Sequence, residues 1–185
     1  WDYDTQLGRH VLKFDGTNEY VHIKRDLGQI RSMSCWFNTS DNTSRNLLQL
    51  TSTDKLEIDV NKKVAATFAS SETKVYLNAN DDTHSSNYNG STSLKINNWY
   101  FACVTNTTEI ISHPDYTRIG YDGVAGSFFS GSLSDVRMYN VELTSKEVKN
   151  LASDYKTILD SLLAESQIKS GTLDRALSDG DALEV

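Results

Sequence analysis

Up to about residue 140 the chain is a succession of short extended runs, many alternating apolar and polar residues and most of them closed by a turn signal. The runs are Val11–Phe14, Tyr20–Ile23, Met33–Phe37, Leu47–Leu50, Lys55–Val60, Val64–Phe68, Thr73–Leu77, Trp99–Thr105, Arg118–Gly120 and Ser132–Tyr139. Asp15-Gly16, Asn89-Gly90, Asp122-Gly123 and Gly131 supply the punctuation. Period-two alternation leaves one face of each strand apolar, and that face is satisfied only by pairing strands and packing their apolar sides together. The pattern predicts an all-β domain, built either as two packed antiparallel sheets or as a closed barrel. At 185 residues the chain can bury on the order of 70% of its unfolded surface, enough to fold without a disulfide or a metal.

Charge narrows the partners. With 18 Lys and Arg against 25 Asp and Glu the formal charge is 18 − 25 = −7, and the pI is near 5.0. Nucleic acids and anionic membranes select surfaces that concentrate Lys and Arg, and no basic run exists here, so neither is expected as a partner. The longest apolar stretches, such as residues 99–104, fall far short of the ~20 residues of a membrane-spanning helix, so no membrane insertion is expected. The sequence starts at Trp1 without an initiator Met or an apolar leader. A processed chain, an excised domain and a longer chain all fit that start.

Cys35 and Cys103 each sit in an apolar-aromatic run that reads as a buried strand. Two readings stand: free thiols acting as small hydrophobes, or a disulfide, which needs neighbouring strands with Cα atoms within ~7 Å. No CxxC or HxxxH spacing points to a metal at either. Asn38, Asn42, Asn89 and Asn106 each open an Asn-x-Ser/Thr tripeptide. In a chain this rich in Ser, Thr and Asn several arise by chance.

Near residue 144 the pattern changes. Thr144 and Glu147 have the spacing of a capping box, and Val148, Leu151, Tyr155, Ile158 and Leu162 recur at intervals of three and four. One amphipathic helix of about 20 residues is expected, dividing the chain into a β domain, 1–143, and a C-terminal helix and extended tail, 144–185. The apolar stripe lies against its own sheet, or it forms an assembly seam with neighbouring subunits. The tail beyond Gly171 is acidic and has too little apolar content to fold alone.

Two groups of residues suggest ligands. Asn78, Asn80, Asp81 and Asp82 crowd oxygen donors into the longest polar stretch, residues 78–93, and Ca²⁺ takes six to eight such ligands. Ca²⁺ is the one cofactor the sequence suggests. Tyr88, Tyr116 and Tyr121 fall in predicted loops, where a ring face can stack on the apolar face of a pyranose. His10, His22, His84 and His113 are scattered, without metal or triad spacing; His113-Pro114-Asp115 reads as a turn.

Several segments together resemble the laminin-G-like branch of the concanavalin A-like jelly rolls. Val11-Leu12-Lys13-Phe14-Asp15-Gly16 and Glu19-Tyr20-Val21-His22-Ile23 are similar to that family's opening strand, turn and second strand. Ser32-Met33-Ser34-Cys35-Trp36-Phe37 and Asn98-Trp99-Tyr100-Phe101-Ala102-Cys103-Val104-Thr105 resemble its two Trp-bearing strands. Residues 119–121 and 129–143 resemble its closing strand, and the Glu147 helix start follows. The resemblance spans residues 11–154 and implies a two-sheet antiparallel jelly-roll sandwich that recognises ligands, often glycans, through loops at its edge. There is one departure. Twelve residues separate Thr105 from Arg118, where the family carries a Tyr-Val-Asp-Gly hairpin strand, so that hairpin is shortened or missing.

Some glycoside hydrolases on this fold carry a Glu-x-Asp-x-(x)-Glu strand, and Glu57-Ile58-Asp59-Val60 begins like one. Positions 61 and 62 are Asn and Lys, however. Retaining hydrolysis needs a second carboxylate about 5–5.5 Å from the first, so an enzyme is disfavoured. The expected role is a non-catalytic module at a surface: a structural or adhesive subunit of a virion, such as a phage particle, or of an extracellular assembly. Its expected partners are neighbouring subunits and cell-surface glycan. The alternative is a free secreted lectin that depends on Ca²⁺.

Overall fold

The computed structural model describes residues 1–41, 43–68, 72–84 and 89–153. Within them twelve strands and one helix follow in chain order. The strands are β1 (Asp2–Asp4), β2 (Arg9–Asp15), β3 (Val21–His22), β4 (Gln29–Thr39), β5 (Arg45–Gln49), β6 (Lys55–Ile58), β7 (Val64–Thr67), β8 (Lys74–Leu77), β9 (Asn80–Asp81), β10 (Trp99–Ile111), β11 (Arg118–Ile119) and β12 (Ser130–Tyr139); the helix is α1 (Ser145–Ser153). Seven strands pair antiparallel in the order β1-β2-β12-β4-β10-β8-β9, and five in the order β3-β11-β5-β6-β7. This is the two-sheet sandwich and not the closed barrel. Each of the ten expected runs contributes a strand; β1 and β9 were not expected, because Asp-Tyr-Asp and Asn-Asp have no apolar alternation.

The core lies between the sheets. Alternate residues of the long central strands face it, Met33, Cys35 and Phe37 on β4 and Ala102 and Val104 on β10, opposite Leu48, Leu56 and Ile119 of the smaller sheet. Phe37, Leu56 and Leu133 are fully buried, and each such side chain stabilises the fold by about 1.5–3 kcal/mol. The other face of the larger sheet is also covered in part. Phe101, Cys103 and Tyr76 pack there with Leu143 and Val148, flanked by Trp36, Tyr139 and Leu151. With both faces of its first half buried, β10 cannot alternate, which is why residues 99–104 read as a continuous apolar run.

Register settles the cysteines. Cys35 pairs with Ala102 and Cys103 with Ser34, so the two sulfurs leave the sheet on opposite faces. Both are free and buried. Burial pushes both thiols up, Cys103 to about 12.

Two glycines allow close approaches. Gly16 has φ +75° in the turn after β2, where Asp15 accepts the N–H groups of Thr17 and Asn18 at 2.8 and 3.1 Å. At Gly131 a Cβ would stand 2.1 Å from the carbonyl oxygen of Asn38, so only glycine lets β12 close onto β4.

The capping box forms as expected. Thr144 Oγ1 accepts the Glu147 N–H at 3.3 Å, and Glu147 Oε2 accepts the Thr144 N–H at 2.8 Å. Of the expected assembly seam, Val148 is fully buried against the chain's own sheet, and Leu151 packs in the same cluster. Leu151 is only partly buried there. Tyr155, Ile158 and Leu162 lie outside the described residues. No helix among the described residues is long and apolar enough to cross a membrane.

Candidate functional site

Tyr116 and Tyr121, one on each side of β11 in the sequence, both lie against one guanidinium. Arg118 is the first residue of β11 and pairs with His22 of β3. Its Cζ lies 5.9 Å from the centroid of the Tyr116 ring and 5.6 Å from that of Tyr121, within cation–π range. The guanidinium is anchored where Nη2 donates to the Asp115 carbonyl at 2.8 Å. Gly123 makes room for it, because a Cβ there would meet Nη1 at 2.5 Å.

More rings extend the patch. Tyr121 stacks on Phe128 at 4.1 Å with the planes 2° apart, and Tyr20 leans against both, 5.0 Å from Tyr121 and 6.1 Å from Phe128. His113 packs on Tyr116 at 5.2 Å, while His22 Nε2–H donates to the Pro114 carbonyl at 2.9 Å. The turn expected at His113 forms, with the N–H groups of Tyr116 and Thr117 on its carbonyl. Tyr20 is 43% exposed and Tyr116 38%, so ring surface faces outward. Tyr88 lies outside the described residues. Tyr20, Arg118 and Phe128 were not singled out from the sequence. The alternation of Tyr20 and His22 against Val21 and Ile23 marks Tyr20 as outward-facing, but only the β3–β11 pairing brings it against Tyr121, one of the two rings beside Arg118.

Beside the patch, residues 121–128 fold over the outer face of the smaller sheet. Asn46 donates to the Tyr121 carbonyl at 2.8 Å, and Arg45 Nη1 to that of Gly126 at 3.0 Å. Lys55 lies 2.8 Å from Glu57 and 3.3 Å from Asp122. Burial pushes the Asp122 carboxyl up, but the Ser127 hydroxyl, the Val124 N–H and the Lys55 ammonium outweigh it and hold the group below the usual carboxylate range. Glu57, the residue that resembles a hydrolase nucleophile, therefore shares one ammonium with Asp122. Asp59 faces the β6–β7 turn, where it accepts the N–H groups of Asn61 and Lys63 at 2.8 and 2.9 Å.

The expected calcium ligands do not form one set. Asn78 Oδ1 accepts the Phe101 N–H at 3.0 Å, Asn80 Nδ2 donates to the Asn78 carbonyl at 3.3 Å, and Asp81 accepts the Thr83 N–H at 3.0 Å. Asp82 is buried, and its carboxylate takes Ser91 Oγ at 2.6 Å, Thr92 Oγ1 at 2.7 Å and the Thr92 N–H at 3.2 Å. The four residues bond to separate backbone and hydroxyl groups. Among the described residues no three His, Cys, Asp or Glu side chains group as a metal site.

One further cluster is structural in character. Asp135 has φ +51° at the bulge where β12 shifts register against β4, and it lies between Arg137 at 2.6 Å and Arg9 at 3.4 Å. Asn106, one of the four sequence candidates for N-glycosylation, is buried.

A laminin-G-type family model, described as the concanavalin A-like lectin/glucanases superfamily, matches residues 2–149. Among curated proteins no sequence matches. A similar solved structure is the native heptameric SAP-like pentraxin from Limulus polyphemus, with 14% identity over 76% of this chain and 80% of that chain and a TM-score of 0.45.

Proposed function

Because the chain belongs to the concanavalin A-like lectin/glucanases superfamily, we propose that it is a non-catalytic glycan-recognition module. The observation that carries this reading is the grouping at the β3–β11 edge of Tyr116 and Tyr121 on Arg118, with Tyr20 against Tyr121. Exposed ring faces stack on the C–H faces of sugars, and a guanidinium held between rings donates hydrogen bonds to hydroxyl or carboxylate oxygens. A rigid patch of this kind orders few rotors on binding.

The neighbouring carboxylates support binding rather than hydrolysis. A glycosidase needs one carboxyl kept protonated to supply the leaving oxygen with a proton, whereas Asp122 is held ionised beside the ammonium that also pairs with Glu57. In this reading the module works at an extracellular or virion surface, as an adhesive or structural subunit among neighbouring subunits. The second reading, a free Ca²⁺-dependent lectin, differs from it in one observable.

Multivalent display of the protein on a glycan array, with and without EDTA, separates the two. Specific signal that survives chelation supports the tyrosine patch. Signal abolished by EDTA assigns recognition to a calcium site, and a blank array leaves a structural subunit.

A further inference from the structure

The larger sheet carries a second candidate on the side turned away from the core. Lys13 of β2 pairs with Ser132 of β12, Ser132 with Asn38 of β4, and Asn38 with Trp99 of β10. Directly paired residues of antiparallel strands project to the same side. The adjacent positions fix which side, because Phe37 and Leu133 lie in the core between the sheets, whereas Trp36 and Phe101 lie on the α1 side. One row of Lys, Ser, Asn and Trp therefore crosses four strands on the outer surface.

A cleft of about 290 Å³ opens beside this row, lined by Lys13, Phe14, Asn38, Ser40, Asn97, Gly131 and Ser132. The side-chain amides of Asn38 and Asn97 and the Ser132 hydroxyl make no hydrogen bond to other described residues. Asn97 is held in the left-handed region, φ +60°, with its N–H on the Thr39 carbonyl at 2.8 Å. Lys13 is already paired with the Asp2 carboxylate, so the cleft offers amides and hydroxyls with little uncompensated charge.

We infer that this cleft is a saccharide subsite that takes a single neutral hexopyranose unit. Each amide presents a donor and an acceptor side by side, the arrangement that meets vicinal hydroxyls, and Ser132 can do either. Phe14 adds an apolar ring to the lining. The volume lies at the small end of ligand pockets, suited to one ring and not to a chain. The inference is independent of the tyrosine patch, which sits on the other sheet, and together they make the module bivalent toward a branched or repeating glycan.

The test is a titration of the isotope-labelled full chain with methyl glucoside, methyl galactoside and methyl mannoside, following the side-chain amide resonances, with glycerol as the polyol control. Shifts at Asn38 and Asn97 with at least one hexoside and none with glycerol are expected, with a dissociation constant on the order of 1 mM for so small a ligand. Asn97→Gly keeps the left-handed backbone while removing the amide, and should weaken binding about tenfold; Ser132→Ala is a second variant that leaves the strand intact. Tyr116→Ala should change nothing at the cleft. Silent Asn38 and Asn97 resonances with all three hexosides overturn the inference, as do equal shifts with glycerol. Shifts confined to the surroundings of Tyr20, Tyr116 and Tyr121 overturn it while leaving the proposed function standing, and shifts confined to the cleft support it while removing the tyrosine patch as the recognition site.

Discussion

Replacing Asp82 with Ala removes the acceptor for three donors at once, and the size of the loss depends on what those donors find instead. Asp82 is 8% exposed, and its carboxylate takes Ser91 Oγ, Thr92 Oγ1 and the Thr92 N–H at 2.6, 2.7 and 3.2 Å. A hydrogen bond to a charged group contributes about 1.5–3 kcal/mol, and a stranded buried donor costs about 1–3 kcal/mol. Ser91 and Thr92 are themselves exposed, so their hydroxyls regain water and the three bonds do not sum. The net loss is about 2–3 kcal/mol, which lowers Tm by roughly 4–12 °C in a domain of this size. Thermal melts of wild type and Asp82→Ala in excess Ca²⁺ and in EDTA measure it. Equal losses in both media are expected, because the partners are protein hydroxyls. If EDTA lowers the wild type to the Tm of the variant, and the two differ only in Ca²⁺, the carboxylate serves a bound cation and the reasoning fails.

Three further outcomes follow from particular contacts. Gly131→Ala should destabilise by about 3 kcal/mol or more, because its Cβ would meet the Asn38 carbonyl oxygen at 2.1 Å; a denaturation midpoint equal to wild type would contradict the β12–β4 approach. The depressed Asp122 carboxyl stabilises the fold above its ordinary value of 3.8, and that contribution is lost as pH falls through the lower folded value. Hydrogen exchange at residues 121–128, corrected for intrinsic rates, should be steady from about pH 7 to 5 and accelerate below about 4, with Asp122→Asn already faster near neutrality; protection that ignores both changes would refute the role. Finally, Cys35 and Cys103 should resist a thiol reagent in the native protein and both react after unfolding, whereas an oxidised pair after unfolding without reductant would contradict their opposite-facing positions.

The strands were legible because burial on one face writes itself into alternation, and this is clearest at Val11–Phe14, Lys55–Ile58 and Ser132–Tyr139. The helix start was legible for a local reason too, since the Thr144–Glu147 box is completed within four residues. Pairing was not. Nothing near Cys103 in the sequence tells that it faces α1 while Cys35 faces the core, because β10 is covered on both sides and carries no alternation to read. The candidate site divides in the same way. Tyr116 and Tyr121 could be marked as loop aromatics, but Tyr20 joins them only through the β3–β11 register, which depends on contacts almost a hundred residues apart. In the acidic loop, composition counts the oxygens of Asn78, Asn80, Asp81 and Asp82, but it does not reveal that those of Asn78, Asp81 and Asp82 accept backbone N–H groups and hydroxyls.

The most direct test of glycan recognition at the β3–β11 edge compares wild type with the Tyr116→Ala/Tyr121→Ala double variant on one glycan array, both displayed multivalently and both shown to be folded by their melts. Losing two stacking rings removes about 0.5–1.5 kcal/mol each, so specific wild-type signal should fall by about tenfold or more in the variant. Equal signal from the two proteins would place recognition elsewhere on the molecule and contradict the account.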